Sequence, residues 1–125
     1  TNFARVDICN VGGFTEAMKV AAMAEMHYID LMPHDPLGPV CTAATIQMCA
    51  AVPNLSWCEV DPYESATPDH DKYFINRPIH ENGVFQISDA PGLGVDVHED
   101  LLKEQSFKFW ETPRLVKPDG SFTNW

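Results

Sequence analysis

Three residues among the first sixty have the types and spacing for joint acid–base chemistry: Asp7, His34 and Glu59. Each stands near the C-terminal end of a short apolar run. The runs are "FARVDIC" (3–9), "YIDLM" (28–32) leading into "PHDPLGP", and "LSWCEV" (55–60). A carboxylate on one imidazole nitrogen fixes the tautomer and raises the basicity of the other nitrogen. Asp7 beside His34 therefore makes a general base or acid. Glu59, one strand further on, is placed to hydrogen-bond a substrate or a developing charge. Taken singly, an Asp at a strand end also serves as a cap or turn residue. Two features favour chemistry. The trio recurs at three successive strand ends, and Pro33 and Pro36 bracket His34 and restrict its loop.

The elements that must position these residues follow from the alternation of the chain. "FARVDIC" reads as a strand and "NVGG" (10–13) as a loop. Thr15 offers an N-cap for the helix "EAMKVAAMAEMHY", whose Met18, Ala21, Ala22, Met26 and Ile29 mark one apolar face. "YIDLM" is a second strand and "PHDPLGP" a rigid loop. "VCTAATIQMCAAV" (40–52) is a second helix, almost wholly apolar and hence buried, stopped by Pro53-Asn54. "LSWCEV" is a third strand. Strand, helix, strand, helix, strand predicts an α/β fold with neighbouring parallel strands. Ligands of such sheets sit at the C-terminal strand edge, where the three residues lie.

From Asp61 the texture becomes polar and turn-rich, an irregular excursion. "GVFQI" (83–87) reads as a short strand and "DAPGLG" (89–94) as a tight turn. Asp96 is expected to cap a helix over "VHEDLLKEQ", with Glu99 completing a capping box. "PRLVKPDGSFTNW" reads as loop. "DAPGLG" lacks the G-x-G-x-x-G spacing and carries no phosphate-loop reading.

Composition narrows the class. The chain has 125 residues, 45% hydrophobic and 21% charged, with a net charge of −10. That suits a soluble domain and supplies no basic stripe for nucleic acid. No apolar stretch is long enough to span a membrane. Cys9, Cys41, Cys49 and Cys58 form no C-x-x-C pair and read as free core thiols of a reducing, cytoplasmic setting. His27, His70, His80 and His98 are expected at the surface. The chain opens without Met, which suggests a fragment or a processed chain.

Several segments, in order, resemble the C-terminal part of acid-sugar dehydratases of the enolase superfamily, the galactonate and mannonate dehydratase types. "VDICNVGGFTEAMKVAAMAE" resembles that family's sixth strand, glycine loop and helix, and "MPHDPLGPV" its seventh strand end. "VPNLSWCEV" resembles its eighth strand, and "DAPGLGVDVHEDL" and "PDGSFTNW" its last segments. The resemblance implies the last three strands of a (β/α)7β barrel in residues 1–62. It implies a tail in residues 63–125 that packs on a capping domain. It implies proton abstraction alpha to a sugar-acid carboxylate, then loss of the β-hydroxyl to give a 2-keto-3-deoxy acid. Asp7 and His34 match the family's Asp–His dyad, and Glu59 its eighth-strand glutamate. Mg2+ in the complete enzyme is implied too, with ligands on earlier strands outside this chain. Asn10 departs from a frequent histidine, at a loop position where little effect is expected. A barrel of this kind needs about 250 residues. The implied partner is therefore a complementary N-terminal chain or further copies of this one. The alternative is a truncated, non-catalytic chain that associates through its open half-barrel surface.

Overall fold

The computed structural model describes residues 1–60, 68–109 and 115–123. Its first half is a parallel α/β unit. Strand β1 (Phe3–Ala4) pairs with β2 (Asp30–Leu31), Phe3 opposite Asp30 and Ala4 opposite Leu31. Leu55 makes a parallel bridge to Leu31, so residues 54–59 lie along the other side of β2. The three segments stay aligned beyond the formal strands. Met32 N donates to Ala4 O (3.0 Å) and His34 N to Val6 O (3.0 Å). On the other side, Ser56 N donates to Leu31 O (3.0 Å) and Glu59 N to Pro33 O (3.2 Å). This ladder carries Asp7, His34 and Glu59 to one edge.

The first apolar run stops being extended earlier than its composition suggests. Asp7 accepts bonds from the amides of Cys9 and Asn10 and so N-caps a one-turn helix, α1 (Ile8–Val11). Two orphan amides satisfied by one carboxylate outweigh the strand propensity of Ile8. Helix α2 (Phe14–Met26) begins at Gly13, not at Thr15, which lies inside its first turn. Its buried face is Ala17, Ala21 and Ala24, while Met23 and Met26 are exposed. The apolar stripe is thus offset from the methionine frame. Alanines let the helix approach the strands closely, and the long methionines remain outside. After α2, Tyr28 takes a left-handed conformation (φ 55°). Ile29 N then bonds Ala24 O and Tyr28 N bonds Glu25 O, a Schellman-type end.

Helix α3 (Pro39–Ala51) has Pro39 in its first turn, where the missing amide costs nothing. Gly38 precedes it at φ 91°, a conformation that favours glycine. As expected, most of α3 is buried. The core gathers Val6, Ile8, Ala17, Ala21, Ala24, Leu31, Cys41, Met48 and Val52.

The tail holds more structure than its polar texture predicts. Helix α4 (Pro68–Tyr73) leads into β3 (Phe74–Ile75), which pairs antiparallel with β6 (Asp96–Val97). Between them lies a hairpin of β4 (His80–Glu81) and β5 (Val84–Phe85). Asn82 (φ 52°) and Gly83 (φ 78°) form its two-residue turn, the Asn-Gly signature of a primed turn. The strand foreseen over 83–87 is therefore shorter and belongs to this hairpin. Asp96 does not cap a helix. It lies in β6, and its carboxylate accepts the next amide, Val97 N (2.8 Å). Helix α5 (Glu99–Lys103) starts after His98 without a side-chain cap.

One buried side chain ties the first unit together. Asn54 Nδ2 donates to Ala21 O (3.2 Å) and Ile29 O (3.0 Å), while the backbone carbonyl of the same residue accepts Leu31 N (2.7 Å). It thus links the third strand segment, α2 and the approach to β2. We expect Asn54→Ala to lower unfolding free energy by about 1–3 kcal/mol, because two buried carbonyls lose their donor. Chemical denaturation checks this. An unchanged midpoint would mean that the amide does not hold these elements together.

Candidate functional site

Asp7 sits between two jobs. Its Oδ1 accepts from Cys9 N (2.9 Å) and Asn10 N (3.1 Å). Its Oδ2 accepts from Asn10 Nδ2 (2.6 Å) and faces His34 Nδ1 at 3.0 Å. The residue is buried. Burial alone would push its carboxyl upward. The bonds from His34, from the amides of Asn10 and Cys9 and from the Asn10 side chain outweigh it, and the pKa falls below the ordinary value. Asp7 is thus held ionised. An ionised carboxylate only accepts, so Nδ1 of His34 carries the proton and donates it.

The other imidazole nitrogen, Nε2, lies 3.8 Å from Glu59 Oε2. Glu59 Oε2 is also paired with the Arg5 guanidinium and accepts the amide of Asp35 (3.3 Å). Arg5, Asp7, His34 and Glu59 together line an open pocket of about 480 Å³. The three residues singled out from sequence thus come together on one side of the strands. A larger, more apolar pocket of about 620 Å³ lies apart from them, between α3 and the tail hairpin. The Arg5–Glu59 pair is half-exposed, so its contribution to stability is small and its effect is orientation.

Three contributors went unseen in the sequence. Arg5 was one polar residue in a strand. Asn10 was read as a loop residue of little effect, yet its amide and its side chain both hold Asp7. Asp35 follows His34 and is fully buried. The Thr42 hydroxyl and Cys41 thiol approach its carboxyl, but burial and the charges of Asp7 and Glu59 push it above the ordinary value. No local pattern marks Arg5 or Asp35, because their neighbours come from distant segments, whereas Asn10 lies three residues from Asp7 in a turn whose composition is that of a loop. The cysteines are all free, and Cys41 is buried as foreseen, but Cys9 is exposed on α1. Cys49 and Cys58 face one another, a contact that lowers the first thiol and raises the second. His27 and His98 are at the surface, whereas His70 and His80 are half-buried.

Comparison with known proteins defines the class. Residues 1–101 match the family described as Enolase C-terminal domain-like, and the chain belongs to that family. Within it, the chain is similar to acid-sugar dehydratases. It is 36% identical to a D-galactonate dehydratase of Ralstonia pickettii over 129 residues, covering 95% of this chain and 33% of that protein. It is 31% identical to a D-mannonate dehydratase of Sphingomonas, covering 99% of this chain and 30% of that one. The chain thus spans about a third of the length of these relatives. In structure it resembles an enolase from Agrobacterium radiobacter bound to sodium and L-malate. That likeness has a TM-score of 0.84 at 26% identity and covers 98% of this chain and 34% of the other.

Asp35 generates a pH prediction. A carboxyl raised in the folded state contributes stability that is complete below its unfolded pKa and lost as pH rises through its folded pKa. Asp35→Asn keeps the shape and removes that loss. In metal-free buffer the variant should melt above the parent at neutral pH, with the gain shrinking as pH falls towards 3.8. A variant that melts lower at neutral pH would mean the ionised carboxylate is itself favourably held.

Proposed function

We propose that the chain is the C-terminal part of a Mg2+-dependent acid-sugar dehydratase, supplying the last three strands of a (β/α)7β barrel. In this reading residues 1–62 belong to the barrel and residues 63–125 to a tail against the capping domain. The observation that carries the reading is the dyad: His34 Nδ1 at 3.0 Å from Asp7 Oδ2, with Nε2 turned towards Glu59 and the pocket. With Nδ1–H anchored on Asp7, Nε2 exchanges the proton. His34 accepts it as a base, or returns it to a departing β-hydroxyl as an acid, while Asp7 stabilises the imidazolium. Arg5 and the Asp35 amide fix Glu59. Glu59 then meets a substrate hydroxyl or developing charge across the pocket. The sequence similarity to galactonate and mannonate dehydratases supports a sugar acid as substrate.

The described residues do not themselves fit Mg2+. Asp7 already meets four donors, and Glu59 Oε2 is shared by Arg5 and the Asp35 amide. The one close group of three ligand atoms among them includes two thiols, whereas Mg2+ demands oxygen. The metal of the proposed reaction is therefore assigned to residues outside those described.

The test uses the complete enzyme that contains this segment, with Mg2+ and D-galactonate or D-mannonate. Formation of a 2-keto-3-deoxy acid is expected. His34→Ala should reduce turnover by about 10²–10⁴-fold with Mg2+ affinity preserved, and Asp7→Asn should show a milder form of the same defect. Alpha-proton exchange without loss of water would replace the dehydratase reading with racemisation or epimerisation. Near-normal turnover by His34→Ala would remove the assigned role.

A second reading, association of a non-catalytic chain through its open face, also has a specific observation behind it. Among the described residues β1 pairs only with β2, so its other edge is open, and open edges invite pairing. Phe107 and Phe109 in the tail are 89% and 79% exposed. Trp110, expected in the same patch, lies outside the described residues. For the isolated 14.0 kDa chain, size-exclusion chromatography with light scattering should show self-association. A monodisperse, cooperatively unfolding monomer is the contrary result.

A further inference from the structure

We propose that Asp7, Cys9 and Cys41 form a binding site for a thiophilic divalent cation of the Zn2+ type. One carboxylate oxygen and the two sulfurs lie within 4.8 Å of one another. Tetrahedral Zn2+ with Zn–S bonds of about 2.3 Å holds its sulfurs about 3.8 Å apart, so modest side-chain rotation closes the set. The fold brings these atoms together from two elements. Asp7 caps α1 and Cys9 lies in its first turn, while Cys41 is buried near the start of α3. The Cys9 and Cys41 thiols already face one another. Two sulfurs select a soft or borderline ion over Mg2+.

A second, independent observation points to a cation here. Asp35 is 0% exposed, and neither of its carboxylate oxygens has a hydrogen-bond partner of good geometry among the described residues. Its carboxyl lies beside the cluster, not within it: the Cys41 thiol approaches it, and it feels the charge of Asp7. A buried carboxylate so poorly satisfied is costly unless it holds a proton, towards which burial pushes it, or a positive charge lies nearby. Cys9 is exposed and gives the ion an access route.

Binding is a balanced exchange. Two S–H bonds break, two metal–sulfur bonds form, and two protons leave to solvent, with no change in oxidation state. Asp7 already meets four donors, so the ion displaces one of them, and the carboxylate is then shared between the metal and those that remain. If the dehydratase reading holds, this ion withdraws the carboxylate that orients the base and so inhibits turnover. Binding itself does not depend on that reading.

The test is titration of the full chain with Co2+ in chelator-free buffer under reducing conditions. One equivalent should produce a thiolate-to-cobalt charge-transfer band with tetrahedral visible bands, and Zn2+ should bleach both. Cys9→Ser should abolish the band. Its site is exposed, so the fold should be retained, with circular dichroism as the check. Cys41→Ser should do the same, and if it fails to fold, Cys9→Ser still decides the matter. Asp35→Asn should weaken Co2+ affinity by about 10–100-fold, as expected when a supporting carboxylate is lost. Cys49→Ser and Cys58→Ser should leave the band intact. Absence of the band, its persistence in folded Cys9→Ser, or its loss only in the Cys49 and Cys58 variants would each overturn the proposal. Unchanged affinity in Asp35→Asn would remove the part assigned to that carboxylate.

Discussion

The Asp7 carboxylate is the constraint on which the site depends. One oxygen closes the N-terminus of α1 and the other holds the imidazole of His34. Local and long-range structure therefore meet in a single ionised group. The cap fixes where the first strand ends, because Cys9 and Asn10 cannot continue a ladder while their amides point at Asp7. The fixed end sets the height of the carboxylate against the neighbouring strand. At that height His34 follows Pro33, and its amide bonds Val6 O. The dyad is thus a product of backbone register as much as of side-chain choice.

Register on the other side of β2 does the same for Glu59. Glu59 N bonds Pro33 O, so the glutamate begins level with the histidine loop. Its carboxylate then crosses towards Arg5 and the Asp35 amide. Lower down, the backbone carbonyl of residue 54 meets Leu31 N, and the Asn54 side-chain amide ties the same segment to Ala21 O and Ile29 O. A polar side chain buried between three elements holds them in alignment, because removing it leaves their carbonyls without a donor. A slip by one residue would turn Glu59 to the opposite face.

The parts legible in the sequence were those governed by short-range physics. Apolar runs, helical spacing and proline stops gave the order strand, helix, strand, helix, strand. The ends of those runs gave Asp7, His34 and Glu59. What could not be read depends on partners far along the chain. Asp35 resembles any turn aspartate until α3 closes over it, and Arg5 resembles any strand arginine until Glu59 arrives 54 residues later. Asn10 was misjudged because a loop and a capped helical turn share composition. The apolar face of α2 was met in part: Ala21 lies in the core and Ile29 packs against it, while Met18, Ala22 and Met26 are exposed and Ala17 and Ala24 are buried in their place. Packing instead selected the small side chains that allow close approach. The tail strands are two residues each, too short for periodicity to register, and the Asn-Gly turn was the one strong local sign of their hairpin.

Asp7 also explains why acid–base chemistry and a thiol cluster occupy the same few ångströms. A carboxylate that caps a helix draws the first turn of that helix towards itself, and the residue two positions on, Cys9, comes with it. The same carboxylate must face the neighbouring strand end to reach His34, which brings it close to the start of α3 and to Cys41. Both groupings therefore follow from one cap. They differ in what they ask of Asp7. His34 needs its full negative charge on Oδ2, whereas a metal held with Cys9 and Cys41 would draw that charge away. Two demands on one ionised group cannot both be met in full. Whichever is satisfied first sets the terms for the other, which makes Asp7 the point at which a cation and a substrate would be felt by one another.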